Sequence, residues 1–293
     1  MSLYWFVMQI FRYMAWPSNR LLIGNGASEF IDLIMRLAPA GAYRTGPFIA
    51  SYKEYERAAK VAGRTVIPHS DKATKAGVTV IIHPNSPSGE FMELPELEAE
   101  VQAAQAEGGV VLLDESFMPH MGPNWHDHSA LSLVEKYPTT IIVVNSWTKI
   151  WCCPGLRLGS VACAEHWYKI MKKNQTPWSC NNMAQAFCAA VANDVEFQQQ
   201  TWKLLPEWRQ RQQDFITALG WTFNESSPLW VPWVFVDCGS AEVAESAAAA
   251  AQDAGCPVRW CASFGCPSRL RLGVRTPAQQ DRLQEAWCKM LGK

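Results

Sequence analysis

The sequence lacks several features that would place it in a common class of binding protein. Its 26 basic and 27 acidic residues nearly cancel, to a formal net charge of -1. That balance gives no support for a nucleic-acid partner or for docking on an anionic membrane. The ten cysteines include no CxxC pair of zinc-site spacing. The densest histidine cluster, His126–His128, lies in a Gly-Pro-Asn-Trp loop, which favours a polar surface loop over a metal site, so we expect no metal.

An export or membrane segment is also not expected. The opening stretch MSLYWFVMQIFRYMAW has no basic n-region and no small-residue cleavage site, and Arg12 interrupts it. It is too short to span a bilayer. Its apolar residues recur at helical spacing, which predicts a packed amphipathic helix within residues 1–20, ended by Pro17. With no export signal, the cysteines are expected to be mostly buried thiols in a reducing compartment, and the protein to be cytoplasmic.

The middle of the chain alternates between two kinds of segment. Val78–His83, Gly109–Asp114 and Thr140–Asn145 are short apolar runs rich in β-branched residues, which is typical of strands. Leu94–Gly108 and Ser129–Pro138 lie between them and have a helical pattern. Continuous apolar strands separated by helices indicate a sheet that is covered on both faces. We therefore predict an α/β fold with three layers, a mostly parallel sheet and helices on both faces.

The alternation of strand-like and helix-like segments stops near residue 180, and this change of pattern predicts a second domain. A long helical region rich in Ala and Gln is followed by WVFVDC, an alanine-rich helix, the strand-like PVRWCA and RLRLGV, and a last helix. This βαββα order predicts a smaller C-terminal α/β domain. The predicted division is an N-terminal helix over 1–20, a large domain over 21–200 and a small domain over 201–293.

The stretch VVNSWTKIWCCPGLRLG places a lysine directly after a strand-like run. Lys149 has hydroxyls one and three residues before it, at Thr148 and Ser146, and Arg157 follows a Pro-Gly turn. A lysine that forms a Schiff base needs a pocket and a lowered pKa, and hydroxyls with an arginine suit a phosphate-bearing aldehyde cofactor. The alternative is a structural lysine on a strand-helix loop. The local sequence does not decide between them.

Three further segments favour the Schiff-base interpretation. Asp114–Phe117 (DESF) ends a buried strand with a carboxylate, and a carboxylate under a pyridine nitrogen makes the ring an electron sink. Gly24–Glu29 (GNGASE) is a glycine turn before a helix, and a helix N-terminus binds phosphate. His83–Glu90 (HPNSPSGE) ends another strand with a polar Pro/Gly turn. Each signal is weak alone, but together their order and spacing are specific.

In these motifs the chain resembles fold-type I, pyridoxal-phosphate-dependent aminotransferases of class I/II. Within that group it is similar to histidinol-phosphate aminotransferases and, more closely, to threonine-phosphate decarboxylases. SWTKIWCCPGLRLG matches the family pattern S-x-[ST]-K-x(4)-[PA]-G-x-R-x-G, and QTPWSCNNMAQA, QQQTW and RLRLGVRT resemble segments of the decarboxylase subgroup. The resemblance extends from about Leu21 to the end of the chain.

The resemblance implies a role for each matching residue. Lys149 would form the Schiff base with pyridoxal phosphate and move protons at the substrate Cα, Asp114 would pair with the pyridine nitrogen, and Tyr52 would stack on the ring. The other implied cofactor contacts are Ala27, Ser28, Ser86, Phe117, Ser146, Thr148 and Arg157. Arg271 would hold the substrate carboxylate, and Asn181 would line the substrate side of the pocket. The family's sites are built at a two-fold interface, so the resemblance also implies a homodimer.

Two local departures and one larger one distinguish this chain from the family. Ser86 replaces an asparagine that donates to the phenolic oxygen of the cofactor, and this contact is lost unless water or Asn85 makes it. Phe117 stands where many members have a tyrosine that reaches the same oxygen, although the decarboxylase subgroup often has phenylalanine there. Family members also have several dozen more residues before the glycine turn, so the segment 1–20 is interpreted as a remnant of their N-terminal arm.

The leading hypothesis is an aminotransferase that acts on a small-molecule amino acid through a Lys149 Schiff base, formation of a Cα carbanion and transfer of the amino group. One alternative is decarboxylation of a phosphorylated amino acid, for which Arg269, Arg271 and Arg275 offer enough positive charge. The other is a catalytically inactive relic of the fold that serves as an interaction protein. The shared cofactor residues do not distinguish transamination from decarboxylation.

Overall fold

The computed structural model describes residue 10, residues 13–14 and residues 16–293, and in it the chain folds into two compact units. The first unit runs to Pro47 and continues through Lys53–His83 and Met92–Gln198. The second consists of Phe48–Tyr52, Pro84–Phe91 and Gln199–Lys293. The two short early segments of the second unit were not predicted from the sequence, and the predicted domain limits stay a prediction.

Most of the predicted N-terminal helix lies outside the described residues, including Leu3, Phe6, Val7 and Phe11. Of the described residues there, Ile10 and Met14 are helical and buried. Beyond this region, no helix that the structure describes is long and apolar enough to cross a membrane. All ten cysteines carry free thiols, and six of them are buried.

A seven-stranded sheet forms the centre of the first unit. Its strands are β1 (Leu21–Asn25), β2 (Ala42–Arg44), β3 (Val66–Ile67), β4 (Ala76–Ile82), β5 (Val110–Asp114), β6 (Ile141–Ser146) and β7 (Leu158–Cys163). They lie in the order β1-β7-β6-β5-β4-β2-β3. Neighbours from β3 to β6 are parallel, and β7 runs antiparallel to both β6 and β1. The prediction of a mostly parallel sheet is confirmed.

Helices cover this sheet because its strands are apolar on both faces. Every residue of β4 and β5 is buried, which is the pattern of a strand between two layers. The helices of the unit are α1 (Ala27–Leu37), α2 (Glu54–Val61), α3 (Leu94–Glu107), α4 (Glu165–Asn174) and α5 (Asn182–Val191). Alternate residues of the central strands pack with α1, α2 and α4 in one core, while α3 packs against β4 and β5. The three-layer prediction is confirmed.

One predicted helix is wrong. The segment Ser129–Pro138 contains only a 3-10 turn at Ala130–Leu133. Its start is fixed by the fully buried Glu115, whose carboxylate accepts the Ser129 hydroxyl at 2.5 Å and the Ala130 amide at 2.7 Å. Burial raises the pKa of Glu115 to about 7. A long-range carboxylate therefore decides the local conformation, and no local pattern reveals it.

The second unit is a smaller α/β structure, as predicted. Its strands are β8 (Thr222–Phe223), β9 (Trp233–Asp237), β10 (Arg259–Trp260) and β11 (Arg269–Gly273). They form an antiparallel sheet in the order β10-β11-β9-β8. Helices α7 (Ala241–Asp253) and α8 (Pro277–Leu291) share its core, and α6 (Val195–Ala218) carries the chain from the first unit into the second. This part of the fold prediction is also confirmed.

The contact between β7 and the start of α1 leaves no room for a side chain at Gly159. A Cβ placed there would lie 2.2 Å from the backbone nitrogen of Ala27, and the backbone cannot yield without moving the helix. We expect Gly159→Ala to lower the free energy of unfolding by about 1–3 kcal/mol, measured by urea denaturation. Gly155→Ala is the control, because a Cβ at Gly155 has open space. Equal losses in the two variants would contradict the close-contact explanation.

Candidate active site

The carboxyl ends of the central strands bring the predicted chemical groups to one edge of the sheet. Asp114 is the last residue of β5, Ser146 is the last residue of β6, and His83 follows β4. These three strands are neighbours and parallel, so their ends lie side by side. In open α/β sheets this edge is where ligands bind.

Asp114 is a buried carboxylate with a fixed orientation. Its Oδ2 accepts a hydrogen bond from the Tyr55 hydroxyl at 2.6 Å, and its Oδ1 accepts one from the Ser116 amide at 2.9 Å. Tyr55 is fully buried on α2. These two hydrogen bonds hold the carboxylate in place at the end of β5. Sequence reasoning missed Tyr55, although it lies three residues after Tyr52 in SYKEYERAA.

Lys149 lies on the turn that follows β6. Its backbone amide donates to the Ser146 carbonyl at 3.2 Å, and its carbonyl accepts from the Cys152 amide at 3.2 Å. Its side chain is exposed, with Nζ 5.7 Å from the centroid of the Phe117 ring, within the range of a cation–π contact. The turn thus presents the amine outward, beside an aromatic ring.

The hydroxyls that precede the lysine face each other. Ser146 Oγ and Thr148 Oγ1 lie 2.8 Å apart. Thr148 is buried and Ser146 is half-buried. The two predicted cofactor-binding hydroxyls are therefore already together at the end of β6.

Arg157 reaches the N-terminus of α1. Its Nη2 donates to Ser28 Oγ at 3.3 Å and its Nη1 to the Pro154 carbonyl at 3.2 Å. Arg157 has a left-handed backbone, with φ of 57°, which is uncommon for a residue with a side chain. Gly26 also has positive φ, 76°, and a Cβ there would lie 2.4 Å from Arg157 Nη2. The guanidinium occupies space that only a glycine leaves open.

These features form a cradle of the kind that binds phosphate. The first turn of α1, at Ala27 and Ser28, has backbone N–H groups without acceptors inside the helix, and the helix dipole favours an anion there. A cavity of about 520 Å³ is lined by Ser28, Arg157 and Thr176–Ser179, and also by Asn25, Glu29 and Asp32. Hydroxyl, guanidinium and helix N-terminus are the donors that a phosphate group requires, so the residues present fit the phosphate of the implied cofactor.

Asn181 uses its side chain within the first unit. Its Oδ1 accepts from the Ala184 amide at 2.8 Å and caps α5, and its Nδ2 donates to the Leu156 carbonyl at 3.0 Å. These bonds tie the start of α5 to the turn that carries Arg157. The substrate-binding role of Asn181 stays a prediction.

The remaining predicted residues, Tyr52, Ser86 and Arg271, belong to the second unit. Arg271 lies on β11, and its Nη1 donates to Ser86 Oγ at 2.7 Å. Its guanidinium carbon is 5.9 Å from the centroid of the Trp233 ring. Burial lowers the pKa of Arg271. Tyr52 is 45% exposed, which leaves its ring accessible.

Asn85 does not replace the asparagine that the family has at position 86. Its amide nitrogen donates to the Ala50 carbonyl at 2.8 Å and to Ser88 Oγ at 2.5 Å. Its Oδ1 accepts from the Ser51 hydroxyl at 3.3 Å. Both amide hydrogens are therefore used to hold the loop together inside the second unit.

The histidine cluster shows no sign of a metal site. Among the residues that the structure describes, no group of three or more His, Cys, Asp or Glu side chains could hold a metal ion. His126–His128 lies in a 3-10 turn, and His126 Nε2 is 2.6 Å from the Tyr13 carbonyl oxygen. Its ring is engaged with backbone.

The Tyr55–Asp114 hydrogen bond can be tested by its effect on stability. Tyr55→Phe removes only the donor, and it leaves a buried carboxylate with one fewer partner. We expect the free energy of unfolding to fall by about 1.5–3 kcal/mol, measured by urea denaturation. Tyr168→Phe is the matched control, because Tyr168 is partly buried against the same core, whereas the hydrogen bonds to the Asp114 carboxylate come from Tyr55 and Ser116. If the two variants lose the same stability, the charged hydrogen bond contributes nothing measurable.

Comparison with known proteins places these features in a family. The model of the family described as aminotransferase class I and II matches residues 8–286. Histidinol-phosphate aminotransferase 1 of Dechloromonas aromatica is 27% identical over 290 residues, which cover 94% of this chain and 77% of that protein. The histidinol-phosphate aminotransferase of Nitratidesulfovibrio vulgaris is 27% identical over 290 residues, with 92% and 74% covered.

Solved structures share the fold. Histidinol-phosphate aminotransferase from Sinorhizobium meliloti, in complex with pyridoxal-5'-phosphate, superposes with a TM-score of 0.85 at 18% identity, covering 98% of this chain and 80% of that one. L-Threonine-O-3-phosphate decarboxylase from Porphyromonas gingivalis gives 0.80 at 18% identity, with 98% and 88% covered. At 18% identity, these similarities show that the fold is shared and nothing beyond the fold.

The family match extends over nearly the whole chain, and the resemblance stated from the sequence motifs is confirmed by it. The predicted enzyme class and the predicted cofactor are confirmed at the level of the family. The chain belongs to the class I and II aminotransferases, which are pyridoxal-phosphate-dependent enzymes.

Proposed function

We propose that this chain transfers the amino group of a small amino acid, with pyridoxal phosphate held by the first unit. The observation that carries the proposal is the grouping of three features in that unit. They are the Tyr55-bound carboxylate of Asp114, the outward amine of Lys149, and the cradle at Arg157 and Ser28. A cofactor with a pyridine nitrogen, an aldehyde and a phosphate needs one of each.

Each group has a distinct task. Pyridoxal phosphate, when bound, supplies the electron sink for a carbanion at the substrate Cα. Asp114 would pair with the pyridine nitrogen, and Tyr55 and Ser116 fix the orientation of its carboxylate. Lys149 holds the cofactor and afterwards moves a proton at the substrate Cα. Arg157 and Ser28 bind the phosphate, with Ser146 and Thr148 as further donors.

Transamination is the activity of the family to which the chain belongs, and for that reason we propose it ahead of decarboxylation of a phosphorylated amino acid. Of the three arginines considered for the substrate anion, Arg269 is paired with Asp237, with Nε 3.2 Å from Oδ2. Arg271 donates to Ser86 Oγ and Arg275 to the Pro257 carbonyl, and neither makes an ion pair with an acidic side chain of the described residues.

The relatives named above add a candidate substrate class. Both are named for histidinol phosphate, an amine that carries a phosphate ester and no carboxylate. Arg271 would then hold the phosphate instead of a carboxylate. A phosphorylated amine is therefore the second donor to test, beside a simple amino acid.

Covalent capture of the cofactor tests the role of Lys149. We expect the purified protein with pyridoxal phosphate to absorb in the near-visible range, and borohydride to convert the bound cofactor into a covalent adduct on Lys149, mapped by mass spectrometry. Lys149→Ala should lose the adduct. Lys75→Ala is the control, because Lys75 is an exposed lysine of the same unit and should leave the adduct unchanged.

Two results would change this conclusion. A folded wild-type protein that gives no adduct would favour the inactive relic with an interaction role. Adduct formation followed by release of carbon dioxide from phosphothreonine, with no keto acid product, would favour the decarboxylase. A screen of amino acids and histidinol phosphate for keto or aldehyde products separates these outcomes.

We also propose that the protein is a homodimer. Trp178 is 98% exposed, and aromatic side chains are enriched at protein interfaces relative to the rest of the surface. Trp178 also lines the cavity that contains Ser28 and Arg157. A second copy that covers Trp178 would therefore also cover the phosphate cradle.

Sedimentation tests the dimer. We expect the wild-type protein to sediment at twice 32.8 kDa and Trp178→Asp to shift toward the monomer, because a buried charge at the interface opposes association. Val61→Asp is the control, since Val61 is 74% exposed on α2. A monomeric wild type, or equal dissociation of both variants, would contradict the proposed interface.

A further inference from the structure

Two adjacent cysteines lie on the segment that joins two groups assigned to the cofactor. Cys152 and Cys153 come between Lys149 and Arg157 in the chain, and both thiols are free. We propose that this pair is a site of reversible oxidation, at which hydrogen peroxide converts the two thiols into a disulfide between neighbouring residues. The consequence for Lys149 rests on the proposed function, whereas the oxidation itself does not.

Exposure selects Cys152 as the thiol that reacts first. All ten cysteines lie among the described residues, and Cys152 is the one that is exposed, while the others are half-buried or buried. Burial raises the pKa of the half-buried Cys153 thiol. Oxidation of a cysteine follows its exposure and its thiolate character, so Cys153 is suited to the second step, in which it attacks its oxidised neighbour.

The oxidation takes two balanced steps. Hydrogen peroxide transfers an oxygen atom to the Cys152 sulfur, which gives a sulfenic acid and releases one water. The Cys153 sulfur then attacks that sulfur, the S–OH bond breaks, and the hydroxyl leaves as water together with the proton of the Cys153 thiol. The two thiols are oxidised by two electrons, and the peroxide is reduced to two molecules of water.

A disulfide between neighbouring residues is strained, and this makes it easy to reverse. Adjacent Cα atoms are about 3.8 Å apart across a trans peptide, whereas a disulfide ordinarily joins Cα atoms that are about 4.4–6.8 Å apart. Strained or exposed disulfides are the labile and regulatory ones. In a compartment that keeps thiols reduced, the pair would therefore be oxidised only while peroxide is present.

The peptide between the two cysteines also closes the lysine turn. The Cys153 amide donates to the Thr148 carbonyl at 3.1 Å, and the Cys152 amide donates to the Lys149 carbonyl at 3.2 Å. Cys152 has a left-handed backbone, with φ of 48°, which is uncommon for a residue with a side chain. Closing the disulfide has to rotate this peptide, which weakens the bond from Cys153 to Thr148. Lys149 would then lose the fixed position from which its amine reaches the cofactor.

Peptide mapping tests the oxidation without the cofactor. Trypsin cleaves after Lys149 and Arg157 and releases Ile150–Arg157, which contains both cysteines of the pair and no other. The apoprotein is treated with hydrogen peroxide in near-stoichiometric amount, and the remaining thiols are blocked with N-ethylmaleimide. We expect this peptide to lose two hydrogens and take up no maleimide, and a phosphine reductant to restore both thiols. An unoxidised pair, or a disulfide from either cysteine to another part of the chain, would overturn the proposal.

A second measurement tests the consequence for the lysine turn. The affinity for pyridoxal phosphate is measured by titrating the near-visible absorption of the bound cofactor, before and after oxidation. We expect the oxidised wild type to bind about tenfold more weakly, on the scale of one lost hydrogen bond, and the phosphine to restore the affinity. Cys152→Ser and Cys153→Ser should keep their affinity after peroxide. Cys288→Ser, at a half-buried thiol of α8, is the control and should respond as the wild type does.

The outcomes distinguish this proposal from the proposed function. A disulfide that forms at the pair but leaves the affinity unchanged would contradict the link to Lys149. So would a loss of affinity that Cys152→Ser and Cys153→Ser also show, because the oxidation responsible would then lie elsewhere in the chain. A reduced wild type that forms no borohydride adduct on Lys149 overturns the proposed function, while the peptide map still decides whether the pair is oxidised.

Discussion

The first unit is organised around a buried carboxylate that two hydrogen bonds hold at the end of an apolar strand. Every residue of β5 is buried, and Asp114 terminates it. The Tyr55 hydroxyl and the Ser116 amide each donate to one of its oxygens, which fixes its orientation. Because β5 lies between β4 and β6 in the sheet, the turns after both neighbouring strands lie on either side of this carboxylate. The lysine turn takes its position from this arrangement.

The cradle at Arg157 and Ser28 depends on positions that have no side chain. Gly26 leaves space for the Arg157 guanidinium, and Gly159 lets β7 approach the backbone of Ala27. Arg157 itself has a left-handed conformation. The two glycines thus allow the Arg157 guanidinium to approach the backbone at the start of α1. The donors that an anion would meet there are the guanidinium and the backbone amides. This is why the glycine turn and the arginine belong to one structural unit despite their separation in sequence.

The sequence was sufficient to predict what depends on local pattern and strand order. The apolar runs predicted the central strands. Because parallel strands have their carboxyl ends at the same edge of the sheet, Asp114 and Lys149 could be predicted to lie at that edge. The pattern could not reveal partners that are distant in sequence. Tyr55 was missed because a buried tyrosine in a helix resembles any core residue. The turn at Ala130–Leu133 was missed because its cause, Glu115, acts across the fold.

The loop at Ser86 shows a further limit of reasoning from motifs. From the motif alone, the replacement of asparagine by serine at position 86 indicates the loss of the amide that donates to the phenolic oxygen of the cofactor. In the structure Asn85 has a separate task in holding the loop, and Ser86 contacts Arg271. The structure thus shows a contact of Ser86 with Arg271, whereas a pattern comparison records only that a residue differs.

The second unit is built from separate segments of the chain, and this affects how it folds during synthesis. The unit draws on Phe48–Tyr52 and Pro84–Phe91 as well as on Gln199–Lys293. During synthesis, both early segments leave the ribosome long before β9 and β11 exist. Contacts between segments so far apart in sequence form slowly, because long loops have to close. A fragment that starts at residue 199 would lack Ala50, Asn85 and Ser86, and so could not reproduce the native unit, whichever linker preceded it.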